Sequence, residues 1–361
     1  MITERTFTQD WLLAVNKSLG WNRAEAQLKN LERAIAALYL LERLVTAKLE
    51  FIFKGGTSLL LLLRKIYRLS VDIDIIIEKP IADTDGLFAR VCSESKLFTR
   101  FERQERNGDA IFRTEHYKFF YKSFADTAEE SYILLDVYKI SNPYANTLEL
   151  ELVSNIVDSQ GKNVTVRIPD ADSILGDKLT AFAPDTIGIS LSAEPGHRPK
   201  RVEVLKQLFD IGNLFNFAEN VANIRKTYNA VASYEIEKFG LEITPDDALM
   251  DSERHTYIIG YGGKVEKPVY DTISKGYKDF NKFVSDLSFD ENQAILAAAK
   301  TAYLVRVLLS GGKALEKYDG ETDMGSWSIS EPPYLDLNDY KYSNPEAFFY
   351  WYKARQNSLN E

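Results

Sequence analysis

The chain holds a single cysteine, Cys92, and three histidines, His116, His197 and His255. One thiol excludes an internal disulfide and any multi-cysteine zinc or iron–sulfur centre, and three scattered histidines are too few for a histidine-rich metal site. A catalytic metal is therefore expected on carboxylates. No apolar run approaches the roughly 18 residues of a membrane helix. The opening, MITERTFTQDWLL, lacks the basic segment and small-residue cleavage site of a signal peptide, so the expected compartment is the cytoplasm, with no membrane partner. Repeats with periods of roughly 20 to 50 residues and low-complexity tracts are also missing, which excludes solenoids and propellers. Positive charge is not in excess: 44 basic against 53 acidic residues give a net charge of -9. That argues against a bulk electrostatic grip on nucleic acid. Two local basic clusters remain, Arg64, Lys65 and Arg68 in one and Arg198, Lys200, Arg201 and Lys206 in the other. Most such clusters are solvated faces, and RNA contact is the sharper alternative.

What is present suits a folded protein: 361 residues, 45% of them apolar and 27% charged, enough for about two to three domains of roughly 150 residues each. Residues 7–18 and 23–50 have helical periodicity, with Leu31, Ile35, Leu38, Leu41, Val45 and Leu49 on one stripe. The character then changes. Phe51 to Lys54 is a short apolar strand, Gly55-Gly56 a turn, Thr57 the expected cap of a Leu-rich helix reaching about Tyr67, and Val71 to Ile77 a second strand. Further strands are expected within 109–123, 131–140 and 163–168, and helices over 171–183, 200–217, 270–287 and 290–310. Between the first two of these helices, PDTIGISLSAEPGHRPK carries three prolines and two glycines and reads as a loop. The expected class is α+β: a mixed sheet flanked by helices, over residues 1–185, followed by a mainly helical domain over 186–361.

The chemistry concentrates in FKGGTSLLLLLRKIYRLSVDIDIII. Alternate residues of a strand face opposite sides, so Asp72 and Asp74 share one face while Ile73 and Ile75 face the core. Their backbones are then about 6.6 Å apart, close enough for the side chains to converge on one or two divalent ions. Taken alone, such a pair is as easily an edge strand with both acids in water. The preceding Gly55-Gly56-Thr57 alters that balance, because backbone N–H groups at a helix start suit phosphate oxygens and glycine permits their close approach. Neither a Walker A loop nor a GxGxxG fingerprint occurs. A phosphate cradle followed by paired carboxylates is what nucleotide transfer from a triphosphate requires.

Asp136, inside the apolar stretch Ile133 to Val137, is an acid whose burial would be costly without a partner. It is a candidate third carboxylate, as metal ligand or general base, and a plain salt bridge is the alternative. Lys178 follows Ile174 and Leu175 and precedes Leu179 and Phe182 on a helix, so its stem can pack while its ammonium reaches a pocket. Asp177 faces elsewhere. Asp210 stands four residues after Lys206, a spacing that often gives only surface support. Arg68 and Ser70 precede the aspartates, and Arg68 either touches phosphate or serves a local structural role. The three histidines have no local partners. Gly260, Gly262 and Gly263 read as a turn. The aromatics Tyr342, Phe348, Phe349, Tyr350, Trp351 and Tyr352 suit base stacking but are more often core.

From Lys54 to Ile75 the chain resembles the GG[T/S] and DxD signature of the nucleotidyltransferase β-fold, most closely that of the AbiEii/MenT-type toxins of type IV toxin–antitoxin systems. KGGTSL and RLSVDIDI carry the first motif, with Val71 where many relatives have a polar residue. SILGDKLTAF, with Lys178, and VEVLKQLFDIG, with Lys206 and Asp210, resemble later motifs and extend the likeness over roughly residues 30–215; the tail NPEAFFYWYKA is similar too. The resemblance implies a nucleotide site at Lys54, Gly55, Gly56, Thr57, Arg68, Ser70, Lys178 and Lys206, with Mg²⁺ on Asp72, Asp74 and Asp136. It implies that Lys178 neutralises triphosphate charge and that Asp210 orients Lys178 or the nucleotide. The implied activity is Mg²⁺-dependent transfer of a nucleoside monophosphate from an NTP to RNA, at the tRNA 3′ end. The implied partner is a genetically linked AbiEi-type antitoxin, without a stable complex. Transfer to a small molecule or a protein hydroxyl is the second reading, and a silent nucleotide-binding module the third.

Overall fold

The structure, a computed structural model, describes residues 1–20, 25–63, 65–105, 113–126, 129–192, 199–285 and 288–358. Arg64, His197 and Arg198 lie outside the described residues, as do 23–24, 109–112 and 193–198 of the expected elements.

Helix α1 (Gln9–Ser18) begins where the Thr8 hydroxyl accepts the Trp11 N–H at 3.2 Å. Helix α2 (Glu25–Thr46) carries the expected stripe, with Leu31, Ile35, Leu38 and Leu41 fully buried. Ala34, Ala36, Ala37 and Leu40 are buried as well, so α2 is enclosed on most of its circumference. Each such leucine contributes about 1.5–3 kcal/mol through the apolar area it removes from water. One polar group is built in: buried Glu32 accepts the Ser123 hydroxyl at 2.8 Å and the N–H groups of Phe124 and Ala125. Burial pushes its carboxyl pKa up, and the three donors offset part of that shift.

Strand β1 (Ile52–Lys54) runs directly into helix α3 (Gly55–Leu62), then come β2 (Ile73–Ile76), α4 (Thr84–Ser93), β3 (Phe98–Gln104), β4 (Thr114–Lys122), β5 (Glu130–Tyr138), β6 (Thr147–Glu151) and β7 (Thr165–Pro169). Among the described residues these strands form one seven-stranded sheet in the order β3-β4-β5-β2-β1-β7-β6. β2 pairs in parallel with β5 and β1 with β7, while the remaining neighbours are antiparallel. The sheet is thus mixed, as expected for α+β. Ile73, Ile75, Phe119, Ile133 and Leu135 join the α2 residues in one core.

Helices dominate the rest: α5 (Ala171–Ala181), α6 (Arg201–Leu214), α7 (Val221–Phe239), α8 (Pro245–Gly260), α9 (Lys267–Ser274), α10 (Tyr277–Phe280), α11 (Glu291–Leu309), α12 (Tyr340–Ser343) and α13 (Pro345–Ser358). None of the described helices is long and apolar enough to cross a membrane. The chain divides into two compact units. The first comprises Met1–Asn142, Thr147–Asp170 and Lys282–Ser288 and contains the sheet; the second comprises Pro143–Asn146, Ala171–Asn281 and Phe289–Glu361. The break after Asp170 assigns α5 to the helical unit, one helix earlier than the expected boundary at 185.

Three local expectations change. Thr57 does not cap α3: the helix starts at Gly55 with Lys54 in the capping position, and the Thr57 hydroxyl instead donates to the Asp72 carbonyl at 2.5 Å. The Leu-rich helix stops at Leu62 rather than Tyr67, because the next segment runs beside residues 283–285, with Leu69 N–H on Phe283 O and Ser285 N–H on Tyr67 O. For the same reason the expected helix over 270–287 is two short helices followed by an extended return to the sheet unit. Elements α4, β3, β6, α7 and α8 were not anticipated, although Thr244-Pro245 with Asp247 forms a complete capping box. The aromatic tail is core: Phe348, Phe349, Tyr350 and Trp351 are buried in α13, and only Tyr342 stands out in water. Gly262 and Gly263, both at positive φ, make the turn expected after α8.

Candidate active site

The sheet unit gathers the first motif at the junction of β1, β2 and β5. Because β2 lies between the other two, its Asp74 sits in register with Lys54 on one side and with Asp136 on the other. The strand pattern behind this is local: Ile73 and Ile75 are buried, while Asp72 and Asp74 are half-buried on the opposite face. Thr57 fixes the Asp72 backbone from below through its hydroxyl. The Arg33 guanidinium of α2 lies 3.6 Å from Asp72 Oδ1.

The two glycines are where they are for steric reasons. Gly55 has φ +77, and a Cβ there would stand 2.2 Å from Asp74 Oδ2. At Gly56 a Cβ would come within 2.5 Å of Arg68 Nη2 and 2.9 Å of Ser70 Oγ. The start of α3 is therefore pressed against a carboxylate on one side and a buried guanidinium and a hydroxyl on the other. Arg68 also donates to the Leu69 carbonyl at 3.0 Å, which holds its head in place. The Lys54 ammonium lies over the Tyr138 ring at 4.9 Å.

Sequence reasoning left His116 without a partner. In the structure it has one: His116 on β4 is in register with Asp136 on β5, and its Nδ1 lies 2.6 Å from Asp136 Oδ1. The histidine is buried and Asp136 half-buried, so one carboxylate oxygen is held and its orientation fixed. His255 likewise has partners, Asp251 and Asp185, both in the helical unit.

In the helical unit the second and third motifs meet each other. Lys178 on α5 and Asp210 on α6 form an ion pair of 2.9 Å with side-chain exposures of 9% and 1%. Gln207, one turn before Asp210, accepts from the same ammonium at 3.1 Å. Two of the three ammonium donors thus have partners among the described residues. Lys206 points away from full burial and Asp177 accepts the Tyr144 hydroxyl at 2.7 Å. Lys200 and Arg201 begin α6, with the Arg201 guanidinium 4.0 Å from Asp279.

With these arrangements in view, the comparison with known families becomes specific. The family described as "Nucleotidyl transferase AbiEii toxin, Type IV TA system" has a model that matches residues 39–299. The chain belongs to this family. No curated protein matches the chain. The AbiEii match spans the glycine turn, the aspartates, Lys178 and Asp210, and it makes the chain a nucleotidyltransferase toxin family member, for which an NTP substrate and an antitoxin partner follow. Among the described residues, the group of three metal-capable side chains whose donor atoms all lie within 4.8 Å of one another is Asp185, Asp251 and His255.

Proposed function

We propose that this AbiEii-family protein transfers a nucleoside monophosphate from an NTP to RNA, at the 3′ end of tRNA, in a reaction that requires Mg²⁺. The observation that carries the reading is the close approach of Gly55 to the Asp74 carboxylate, so close that a Cβ would stand 2.2 Å from Oδ2, which sets a helix N-terminus beside an acidic group. Phosphate and cation have to meet at such a place.

The donor set fits Mg²⁺. Asp72, Asp74 and Asp136 offer only oxygen, and Mg²⁺ is usually held by one or two carboxylates together with substrate phosphate oxygens, so a preformed three-carboxylate cage is not needed. When bound there, Mg²⁺ supplies charge neutralisation at the phosphates and at the departing pyrophosphate. The protein groups do the rest. Backbone N–H groups of Gly56 and Thr57, with Arg68 and Ser70 beside them, bind phosphate oxygens. Lys54 adds positive charge next to Asp74. Asp136 Oδ1 is taken by His116, and its second oxygen either joins the cation or accepts the proton of the incoming hydroxyl. The acceptor oxygen bonds to the α-phosphorus as the bond to pyrophosphate breaks. Lys178, steered by Asp210 and Gln207, neutralises triphosphate charge, and Lys206 lends further positive charge. The site of action is the cytoplasm, and the antitoxin acts without forming a stable complex.

Incubating the protein and Mg²⁺ with each α-labelled NTP, and offering total tRNA, the protein itself and a panel of small hydroxylic molecules, tests this directly. Label in tRNA is the expected result. Label in protein or in a small molecule would move the acceptor to another class, and failure to bind any NTP would remove the nucleotide site itself. A second expectation concerns His116. Replacing it with alanine should raise the Mg²⁺ concentration for half-maximal transfer by about 10- to 100-fold, the usual effect of losing a group that orients a metal-binding carboxylate. An unchanged Mg²⁺ requirement in His116→Ala would show that Asp136 needs no such positioning.

A further inference from the structure

Helix α8 carries Asp251 and His255 four residues apart, so both lie on the same face, and both are buried. The His255 Nδ1 is 3.0 Å from the Asp251 backbone carbonyl and 2.9 Å from Asp251 Oδ1. A carbonyl can only accept, so Nδ1 carries a proton, and in the neutral ring the lone pair lies on Nε2. That Nε2 is fully buried and has no hydrogen-bond partner. It faces Asp185 Oδ2 across 3.8 Å, too far for a hydrogen bond.

The other groups around it are accounted for. Asp251 Oδ2 accepts the Asp185 N–H at 2.9 Å and the Thr186 hydroxyl at 2.8 Å, while the buried Oδ1 has the His255 Nδ1 beside it at 2.9 Å. The turn that presents Asp185 is itself fixed, with Gly188 N–H on Ala183 O at 2.8 Å and Ile189 N–H on Ala181 O at 3.0 Å. Arg254 bridges Asp185 and Glu266, and its Nε bond to Glu266 Oε1 at 2.9 Å survives if Asp185 swings away. The helical unit therefore brings a ring nitrogen of a buried imidazole, an oxygen of a buried carboxylate and a half-exposed carboxylate within 4.8 Å of one another.

We propose that Asp185, Asp251 and His255 bind a structural divalent cation of the first transition row, Zn²⁺ being the best match, separate from the nucleotidyltransferase carboxylates. One imidazole with carboxylates is a donor set for Zn²⁺, whereas Mg²⁺ and Ca²⁺ prefer oxygen alone. Zn–N and Zn–O bonds of about 2.0–2.2 Å need the donors somewhat closer than they stand. Rotation of the exposed Asp185 side chain supplies that movement, and water completes the coordination. Such an ion would clamp the turn after α5, the helix that carries Lys178, onto α8. The competing occupant of Nε2 is a proton. Burial opposes a charged imidazole while Asp251 and Asp185 favour it, and the balance raises the His255 pKa, yet a proton there has no acceptor within bonding distance.

The test uses the full chain, stripped with a chelator, re-equilibrated with Zn²⁺ and passed through gel filtration. One equivalent of zinc should be retained, and also by the Asp72→Asn/Asp74→Asn variant, which removes the other acidic site. Zn²⁺ affinity should fall by about 10-fold or more in Asp185→Asn and in His255→Gln. Added Zn²⁺ should raise the Tm of the wild type and leave that of Asp185→Asn unchanged; because Asp185 is exposed, that variant reports binding even if His255→Gln misfolds. The proposal is overturned if no zinc is retained, if Asp185→Asn retains it with wild-type affinity, or if Asp72→Asn/Asp74→Asn alone abolishes it.

Discussion

Asp74→Asn is expected to lower nucleotide transfer by about 10³-fold or more while leaving the fold intact, because a bound metal supplies several kcal/mol of charge stabilisation in transition states of this kind and each 1.4 kcal/mol is tenfold in rate. The side chain is half-buried on the solvent face of β2, with Ile73 and Ile75 holding the strand from the other face, so an isosteric amide disturbs no packing. The amide adds no volume at a place where even a Cβ on Gly55 would collide with the Asp74 side chain. Asp72→Asn should behave similarly, since its side chain is 48% exposed. Single-turnover transfer of label and the thermal midpoint, measured on the same preparations, give the two numbers. Wild-type turnover in Asp74→Asn would remove the carboxylate pair from the chemistry.

How far the sequence reveals the site depends on whether each part is local. The VDID alternation and the α2 stripe follow from neighbours a few residues apart, and the structure has them where expected, while Gly55 and Gly56, read as a turn, are the first residues of α3. The His116–Asp136 contact depends on the register between β4 and β5, which no periodicity announces, and a one-residue slip would separate the two. The Thr57 hydroxyl shows the same limit from the other side. Its position three residues past Lys54 suggests a cap, but the Asp72 carbonyl, fifteen residues on, is the acceptor that captures it. Residues 282–285 were read as helix because their pattern permits one, and their pairing with residues 67–69 overrides that preference. Lys178 and Asp210 each carry a plausible local alternative, stem packing for one and an i,i+4 partner for the other. Only the approach of α5 to α6 turns them into a pair. What was legible is the set of elements proposed to hold phosphate and cation, and what was not is the set of hydrogen bonds that fix their side chains.

That buried pair permits a prediction that separates stability from activity. Lys178→Met removes the ammonium that stands 2.9 Å from the Asp210 carboxylate, whose side chain is 1% exposed. Breaking a buried pair in this way costs about 3–5 kcal/mol of stability. The same substitution removes a charged donor for phosphate worth about 1.5–3 kcal/mol, which is roughly 10- to 100-fold in NTP affinity. Pairing the change with Asp210→Asn neutralises the second member, and an apolar or neutral pair of similar volume is often as stable as the ions it replaces. The double variant Lys178→Met/Asp210→Asn should therefore recover most of the unfolding free energy in urea while its NTP affinity and transfer rate stay low. Recovery of both would make the pair a brace between α5 and α6 and nothing more. Recovery of stability alone places the ammonium in contact with the triphosphate, with Asp210 as the group that aims it.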